Sequence, residues 1–393
     1  GAYLDLSTAA AGFDGGLMGL AFHPDFASNG KFYTASHATT GSGIAPIASS
    51  TAGVNEIVVT EWTAANPSAG VFSGPSREVM RLSMPSQGPT VGMLAFNPNA
   101  KTSASADYGK LYLSMGDTGD AYSYAQTAQN PASPYGKVLR FDPTPSGSAG
   151  YTVPSDNPFV GQSGKEPLVW AMGLRNPQYL SWIKGGAGTM YINDIGEAHL
   201  EEVNTGVAGG DYGWSTREGT YATFRDPAIG GALINDIYPL QPGADASGFL
   251  YPVAQYDHDE GRAIGAGLTY QGSAIPALVG KYVASDIVLG RPFVADLAGL
   301  SSDTDPGGVV GFQSLETDYN GSATNLLSIF GAARADARLG VDDDGELYVL
   351  TKANGDIFRV SAADVPAPGA LALLPAAAAL WLSRRANRRK RSA

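Results

Sequence analysis

The apolar run Pro167-Leu-Val-Trp-Ala-Met172 is followed at once by Gly173-Leu-Arg-Asn-Pro177, which sets a guanidinium and an amide side by side at a strand end. Side chains at strand ends project into whatever mouth the strands surround, and Arg175 with Asn176 offers several N–H donors to an oxygen that gains negative charge. Four histidines (His23, His37, His199, His258) are scattered, and no His-Glu-x-x-His occurs, so zinc chemistry is not indicated. The chain carries no Gly-x-Ser-x-Gly elbow, P-loop or dinucleotide fingerprint. Asp303-Thr-Asp305 and Asp342-Asp343-Asp344-Gly345 lack the ligand spacing of a calcium loop, and the second run reads as a solvated turn before a strand. A glycosidase needs two carboxylates at a set spatial separation, which the order of residues along the chain does not locate.

The elements that must hold these residues are strands. With 51 Gly, 25 Pro, no Cys and 16% charged residues among 393, the chain has core material but no disulfide or thiolate-metal support. Strand pattern covers Lys31 to Ala35, Glu56 to Thr63, Thr189 to Asn193, Gly267 to Tyr270 and Lys281 to Ala284. Gly109-Lys-Leu-Tyr-Leu-Ser-Met-Gly116 and Gly345-Glu-Leu-Tyr-Val-Leu-Thr351 are near copies. Each precedes a second related strand, Gly136-Lys-Val-Leu-Arg-Phe-Asp142 and Gly355-Asp-Ile-Phe-Arg-Val-Ser361. Asn354-Gly355 predicts a type I′ hairpin between the second pair. Repetition of short antiparallel strands over more than three hundred residues favours an all-β propeller over a two-sheet sandwich, whose single core would grow too large.

Several segments in one order resemble the glucose/sorbosone dehydrogenase family, the soluble PQQ-dependent aldose dehydrogenases. They are Gly16-Leu-Met-Gly-Leu-Ala-Phe-His-Pro-Asp-Phe26 with Asn29-Gly-Lys-Phe-Tyr33, Asp117 to Asp120, Gly136 to Arg140, and Asp156-Asn-Pro-Phe159. Gly173-Leu-Arg-Asn-Pro177, Asp194-Ile-Gly196 with Glu201-Glu-Val-Asn204, and Gly209-Gly-Asp-Tyr-Gly-Trp214 continue the match. Tyr270-Gln-Gly272, Pro276-Ala-Leu-Val-Gly280 and Asp344 to Val349 complete it. The resemblance implies a six-bladed β-propeller with PQQ and Ca²⁺ in the channel mouth, where an aldose loses a hydride from its anomeric carbon and a His takes the hydroxyl proton. Carried over by motif, Arg175 and Asn176 meet the quinone oxygens and Arg291 neutralises a cofactor carboxylate. Asp14 lies near the polar pocket, and the backbone carbonyls of Gly196 and Glu197 ligate Ca²⁺.

Two departures from the family pattern touch this machinery. Pro89-Thr-Val-Gly-Met-Leu94 stands where the family has His-Asn-Gly-Gly-x-Leu, so the position of the base is Pro89 and proline accepts no proton. Gln271 replaces the basic residue of the family's Tyr-Lys/Arg-Gly, which removes a charge facing the cofactor. His258 or Asp14 is the candidate to stand in as base. The competing expectation is a catalytically silent propeller that binds carbohydrate, an aldose or oligosaccharide, or a matrix partner.

The ends of the chain carry their own expectations. Residues 1–360 read as the propeller, with its first blade incomplete because Ala2-Tyr-Leu-Asp-Leu-Ser7 matches a stretch well inside the family fold. Residues 361–368 read as a linker with Val365-Pro-Ala-Pro368, and 369–393 as a short apolar helix and an Arg-rich end. That layout resembles a PEP-CTERM sorting signal, with Ala367 at the usual Glu. It implies export to the periplasm, outer surface or medium, a transient inner-membrane anchor and an exosortase-type processing enzyme. Six of the 25 basic residues fall in the last ten positions, leaving 19 against 37 acids and a net −18 over residues 1–383. So acidic a body repels a phosphate backbone, and nucleic acid is not an expected partner.

Overall fold

The computed structural model describes residues 3–6, 16–38, 46–47, 55–85, 88, 91–119, 127–185, 188–226, 232–240, 247–362 and 379–384. Strands β1 (Leu17–Phe22), β2 (Lys31–Ala38), β3 (Asn55–Thr63) and β4 (Ser76–Met84) form the first antiparallel sheet. Strands β5 (Val91–Phe96), β6 (Leu111–Met115), β7 (Lys137–Phe141) and β8 (Val169–Met172) form the second. In the third sheet, β9 (Pro177–Trp182), β10 (Met190–Asp194) and β11 (Leu200–Thr205) come before an excursion. That excursion is a separate three-stranded sheet of β12 (Arg217–Glu218), β13 (Tyr221–Asp226) and β14 (Ala232–Pro239), after which β15 (Ala254–Asp257) returns to β11. The fourth sheet holds β16 (Ile264–Thr269), β17 (Tyr282–Asp286) and β18 (Pro292–Ala295). Next, β19 (Val310–Gly311) pairs in parallel with β15, and β20 (Gln313–Ser314) pairs with β18. The fifth contains β21 (Glu316–Tyr319), β22 (Ser322–Thr324), β23 (Ala337–Val341), β24 (Leu347–Thr351), β25 (Ile357–Ala362) and β26 (Ala379–Arg384).

The innermost strands β1, β5, β9, β16 and β23 pack against one another in succession, the arrangement of propeller blades around a channel. One apolar core lies between each neighbouring pair of blades. Ile57, Leu82, Leu113 and Phe141 join the first two, while Leu180 and Ile192 meet Val138 and Ala171 at the next interface. Val203, Tyr256, Ala284 and Phe293 follow, then Leu268, Val283, Leu339 and Phe358. Middle strands sandwiched this way are buried on both faces, which is why Leu111-Tyr-Leu-Ser-Met115 lacks period-two alternation. The near copies found in the sequence occupy equivalent places, β6 and β24 second in their blades, β7 and β25 third.

Five blade sheets occur among the described residues, fewer than the six implied by family resemblance, and no core there joins the fifth to the first. The first of them has four paired strands, so the incomplete blade expected at the start does not coincide with β1–β4. On β1, Leu17, Leu20 and Phe22 are each about half exposed, at 46%, 48% and 50%, on a strand whose other side packs on β5.

Two local expectations are corrected. Asn354 does not take a positive φ; only Gly355 does, at 73°, within a wider loop closed by Gly355 N–H to the Thr351 carbonyl. The Asn354 side chain accepts from Asp356 N–H and donates to the Phe330 carbonyl, bonds that hold it out of a two-residue turn. The described part of the expected tail helix, Ala379–Leu382, belongs to strand β26, which pairs with β25 and with β21. Backbone pairing explains the change, since both strands present ladder groups that a short added strand satisfies whatever its side chains. Residues 363–378 and 385–393 lie outside the described residues. Among those described, no helix is long and apolar enough to cross a membrane.

Candidate active site

Each blade starts its inner strand at one mouth of the channel, and the third blade builds the site there. Asp194, at the end of β10, is opposite Pro177 on β9 and Glu202 on β11, so three segments meet at that edge. Its carboxylate accepts from Arg175 N–H at 2.9 Å and Asn176 N–H at 2.6 Å, which fixes the backbone just before β9. Gly173 has φ +73°, and a Cβ there would strike the Asp211 carboxylate, so the approach to Arg175 requires glycine.

The Arg175 side chain turns onto the next loop. Its Nε donates to Glu197 Oε2 at 2.6 Å, its Nη1 to the Gly196 carbonyl at 2.6 Å and the Ile195 carbonyl at 3.1 Å, and its Nη2 pairs with the same carboxylate. Two carbonyls and a carboxylate thus converge on one cation. Asn176 stands beside it, half-buried, and its side-chain amide has no hydrogen-bond partner among the described residues.

Glu218 on β12 shapes that loop from behind. Its Oε1 accepts backbone N–H groups of Glu197, Ala198, His199 and Leu200 at 2.9, 3.0, 2.9 and 3.0 Å. Gathering four donors onto one oxygen curls the segment so tightly that a Cβ on Gly196 would collide with the Leu200 carbonyl. On the far flank, His258 N–H donates to the His199 carbonyl at 3.1 Å, and its Nε2 lies 2.9 Å from Glu201 Oε1. The other Glu201 oxygen accepts from Ile264 N–H at 2.8 Å.

Behind Arg175, Trp214 Nε1 donates to Asp117 Oδ2 at 2.7 Å, and the indole lies 5.9 Å from the guanidinium carbon. Lys137, fully buried, donates to the carbonyls of Thr127, Ala128 and Tyr135 at 2.9, 2.7 and 2.8 Å, and burial pushes its ammonium down to about 7.

The electrostatics of this face are one-sided. Burial, with repulsion from Asp117 and Glu218, pushes Glu197 up to about 7. Burial pushes Glu201 and Glu202 up to about 7 as well, Glu202 with added repulsion from Glu218 and Glu201. Asp194 is raised well above the carboxylate range by burial and then by Glu202. The hydrogen bond to Glu201 raises His258 above the usual imidazole value, against the effect of burial.

The residues singled out from the sequence fall in four groups. Arg175, Asn176, Gly196 and Glu197 come together. Arg291 lies on the same face but two strands out, before β18, donating to the Glu260 carbonyl at 2.5 Å. Gln271 is a correction: it follows β16 at the opposite mouth, where its amide exchanges hydrogen bonds with the Lys184 backbone at 3.0 and 2.9 Å. Arg175 precedes β9 and Lys184 follows it, so the six-residue strand separates Gln271 from Arg175 by about 20 Å. Gln271 instead lines a cavity of about 190 Å³ with Asp343, Asp344 and Trp182. Pro89 and Asp14 lie outside the described residues. Cavities of about 480 and 470 Å³ sit elsewhere, beside Lys281 and Asp296 and between the C-terminal halves of β1 and β5, so cavity size is not what marks this site.

Glu218 had no signal in the sequence, and Glu201 had only its place in the Glu201-Glu-Val-Asn204 motif. Residues 3–291 match the family model for glucose/sorbosone dehydrogenase, a span that includes every strand from β1 to β17. The chain belongs to the glucose/sorbosone dehydrogenase family. It is 29% identical over 313 residues to the HIPL1 protein of Arabidopsis thaliana, a match covering 69% of this chain and 42% of that protein. The chain therefore spans less than half the length of this curated relative. Among solved structures it resembles the soluble aldose sugar dehydrogenase of Escherichia coli in its apo form, with TM-score 0.60 and 21% identity over 89% of this chain and 84% of that one. It also resembles the PQQ-bound aldose sugar dehydrogenase of Streptomyces coelicolor, with TM-score 0.54 and 22% identity over 91% and 77%. Those two likenesses support the propeller fold of this family member.

Proposed function

We propose that this protein is an exported sugar dehydrogenase that oxidises the anomeric carbon of an aldose, with PQQ and Ca²⁺ held at the mouth where Arg175 lies. The observation that carries the reading is the convergence of the Ile195 and Gly196 carbonyls and the Glu197 carboxylate on a single positive group. Hard oxygens of this kind suit a divalent cation, and the Arg175 guanidinium now stands where such an ion would sit. The residues fit the cofactor as well, because Asn176 keeps an amide with no hydrogen-bond partner among the described residues, next to a guanidinium at the channel mouth. An anionic group approaching a face backed by the buried carboxyls Asp117, Asp194, Glu201, Glu202 and Glu218 needs a cation with it, and the oxygen set supplies the place for one.

PQQ, when bound, supplies the two-electron oxidant. Arg175 and Asn176 would hold its quinone oxygens, Gly196 and Glu197 would hold the metal, and Arg291 would offer a more distant positive charge on the rim. Glu218 keeps the 197–200 segment in the shape that presents these oxygens. Trp214, fixed by Asp117, closes the back of the site against water.

Residues 1–360 form the catalytic body in this reading, 361–368 the linker, and 369–393 a sorting tail that an exosortase-type enzyme removes after export through the inner membrane. The test is reconstitution of the full chain with PQQ and Ca²⁺, followed by dye reduction with a panel of aldoses. Turnover with a bound-cofactor spectrum supports the proposal. No spectrum and no turnover would sink it and leave a silent, carbohydrate-binding propeller. For the tail, a mass measurement on cell-associated protein decides, since an intact Arg-rich end on secreted material argues against sorting.

A further inference from the structure

We propose that His258, held by Glu201, is the group that accepts the hydroxyl proton of the sugar, the role that Pro89 cannot fill; the inference rests on the dehydrogenase reading. A general base needs an acceptor nitrogen, a partner that fixes its orientation, access to substrate and a place beside the other reacting groups. His258 meets the second requirement through a carboxylate with 0% side-chain exposure at 2.9 Å. Glu201, the second residue of β11, is itself immobilised, one oxygen on the imidazole and the other on Ile264 N–H. With Glu201 ionised, its carboxylate sets the tautomer: Nε2 carries the proton toward Glu201 and Nδ1 is left as the acceptor.

Access follows from position. The His258 side chain is 18% exposed at the same mouth as Arg175. Its backbone is tied to the His199 carbonyl, so His258 and Arg175 grip opposite flanks of the 195–201 loop. Two other histidines lack this combination. His23 uses Nδ1 to accept from Asp25 N–H and contacts the Asn29 amide, beyond the far end of β1, and His37 is buried within β2. The charged groups around His258 are Glu201 on β11, Glu218 on β12, and Arg262 in the loop before β16, with Asp257, Asp259 and Glu260 in its own segment. Glu201 and Glu218 favour the imidazolium and Arg262 opposes it.

The anomeric O–H bond breaks and its proton forms an N–H bond at His258 Nδ1. The C1–H bonding pair leaves as hydride to a two-electron oxidant of the quinone class, the C1–O bond becomes a carbonyl, and the imidazolium returns its proton to solvent. Glu201 stabilises the imidazolium without taking the proton.

The experiment uses the full chain loaded with PQQ and Ca²⁺, and compares the native protein with His258→Gln, Glu201→Gln and His23→Gln. His258→Gln is expected to lower kcat by roughly 10²- to 10⁴-fold with the bound-cofactor spectrum intact, and added imidazole should restore part of the rate in His258→Ala. Glu201→Gln should move the limb of the pH–rate profile that reports the base to lower pH. Imidazole NMR gives a readout independent of turnover: the His258 ring should titrate at lower pH in Glu201→Gln, while His23→Gln leaves both it and the rate unchanged. A His258→Gln rate within about threefold of the native protein overturns the role alone, since the usual loss is far larger. A loss of cofactor binding with unchanged kcat per bound cofactor also overturns it, and an unmoved His258 titration in Glu201→Gln overturns the dyad. No turnover by the native protein removes the dehydrogenase reading and this role with it.

Discussion

Two buried charge clusters in this propeller use the same residue types and end with opposite electrostatics. In the first two blades, Glu61 faces Arg77 at 3.0 and 2.9 Å and Lys31 at 3.4 Å, with the Tyr33 hydroxyl at 2.7 Å. Burial alone would raise Glu61, yet the hydrogen bonds from Arg77 and Tyr33 outweigh it and hold the carboxyl below its usual range. Arg140 likewise spans Asp107 at 2.8 Å and Asp156 at 2.9 Å, and its hydrogen bond lowers Asp156. At the channel mouth Asp194, Glu201 and Glu202 are buried and Glu197 half-buried, but the Arg175 side chain bonds only Glu197 among them, and all four carboxyls are raised. Where charge serves the fold it is balanced locally. Where it is left unbalanced the surplus is negative, and the molecule keeps an electrostatic debt that an incoming cation would relieve.

The sharpest way to break this contrast is at the two arginines. Arg175→Ala should reduce sugar oxidation by roughly 10²- to 10³-fold or more, as loss of a charge stabiliser does, with the fold retained by circular dichroism. Arg140→Ala should do the reverse. It removes a buried guanidinium from Asp107, which keeps Asn97 and Tyr112, while the half-exposed Asp156 returns to water, so it should cost on the order of 1–2 kcal/mol in urea unfolding, with activity per folded molecule unchanged. If Arg140→Ala spared stability and Arg175→Ala spared activity, the division into structural and functional clusters would be wrong.

A smaller effect reads the imbalance itself. Glu197, Glu201 and Glu202, raised to about 7, bind protons more tightly folded than unfolded, so their contribution is present at low pH and lost as pH rises through about 7. His258, also raised, changes stability in the same direction. Glu61 and Asp156, both lowered, act oppositely and lose their contribution only in acid. The melting temperature should therefore fall between about pH 4.5 and about pH 7, from the ordinary glutamate value to the raised one, while Lys137, pushed down to about 7, adds stability only above that range; Glu202→Gln should flatten the slope. Ca²⁺ should raise the melting temperature more at the alkaline end, where Glu197 is ionised. A calorimetric profile that rises over this interval would contradict the assignment of these carboxyls. The smallest effect belongs to Asp343→Ala at the opposite mouth, expected within about 0.5 kcal/mol and with unaltered turnover.

How far the sequence could be read depended on whether the signal was local. Strands β2, β3, β10, β16 and β17 fall on the segments that the pattern marks, and Arg175 is marked by the apolar strand it follows, β8. Gln271 was misplaced because its motif gives the neighbours of a residue along the chain but not the end of the channel at which a strand finishes. The apolar tail suggested a helix because composition records burial, whereas β26 is set by an available ladder.

From its own residues the chain determined an all-β repeat, a disproportionately acidic body, family membership by ordered motifs, and a cation with an amide at one strand end. These are properties of neighbours along the backbone, where period and spacing carry the information. Tertiary structure alone decided that Arg175 meets Glu197 across 22 positions, that Glu218 collects the N–H groups of the 197–200 loop, and that His258 finds Glu201 across 57 positions. Blades bring loops from separate strands to one mouth, and burial there sets the charge of each group, so the pairing of acid with base follows from the side-by-side packing of successive sheets.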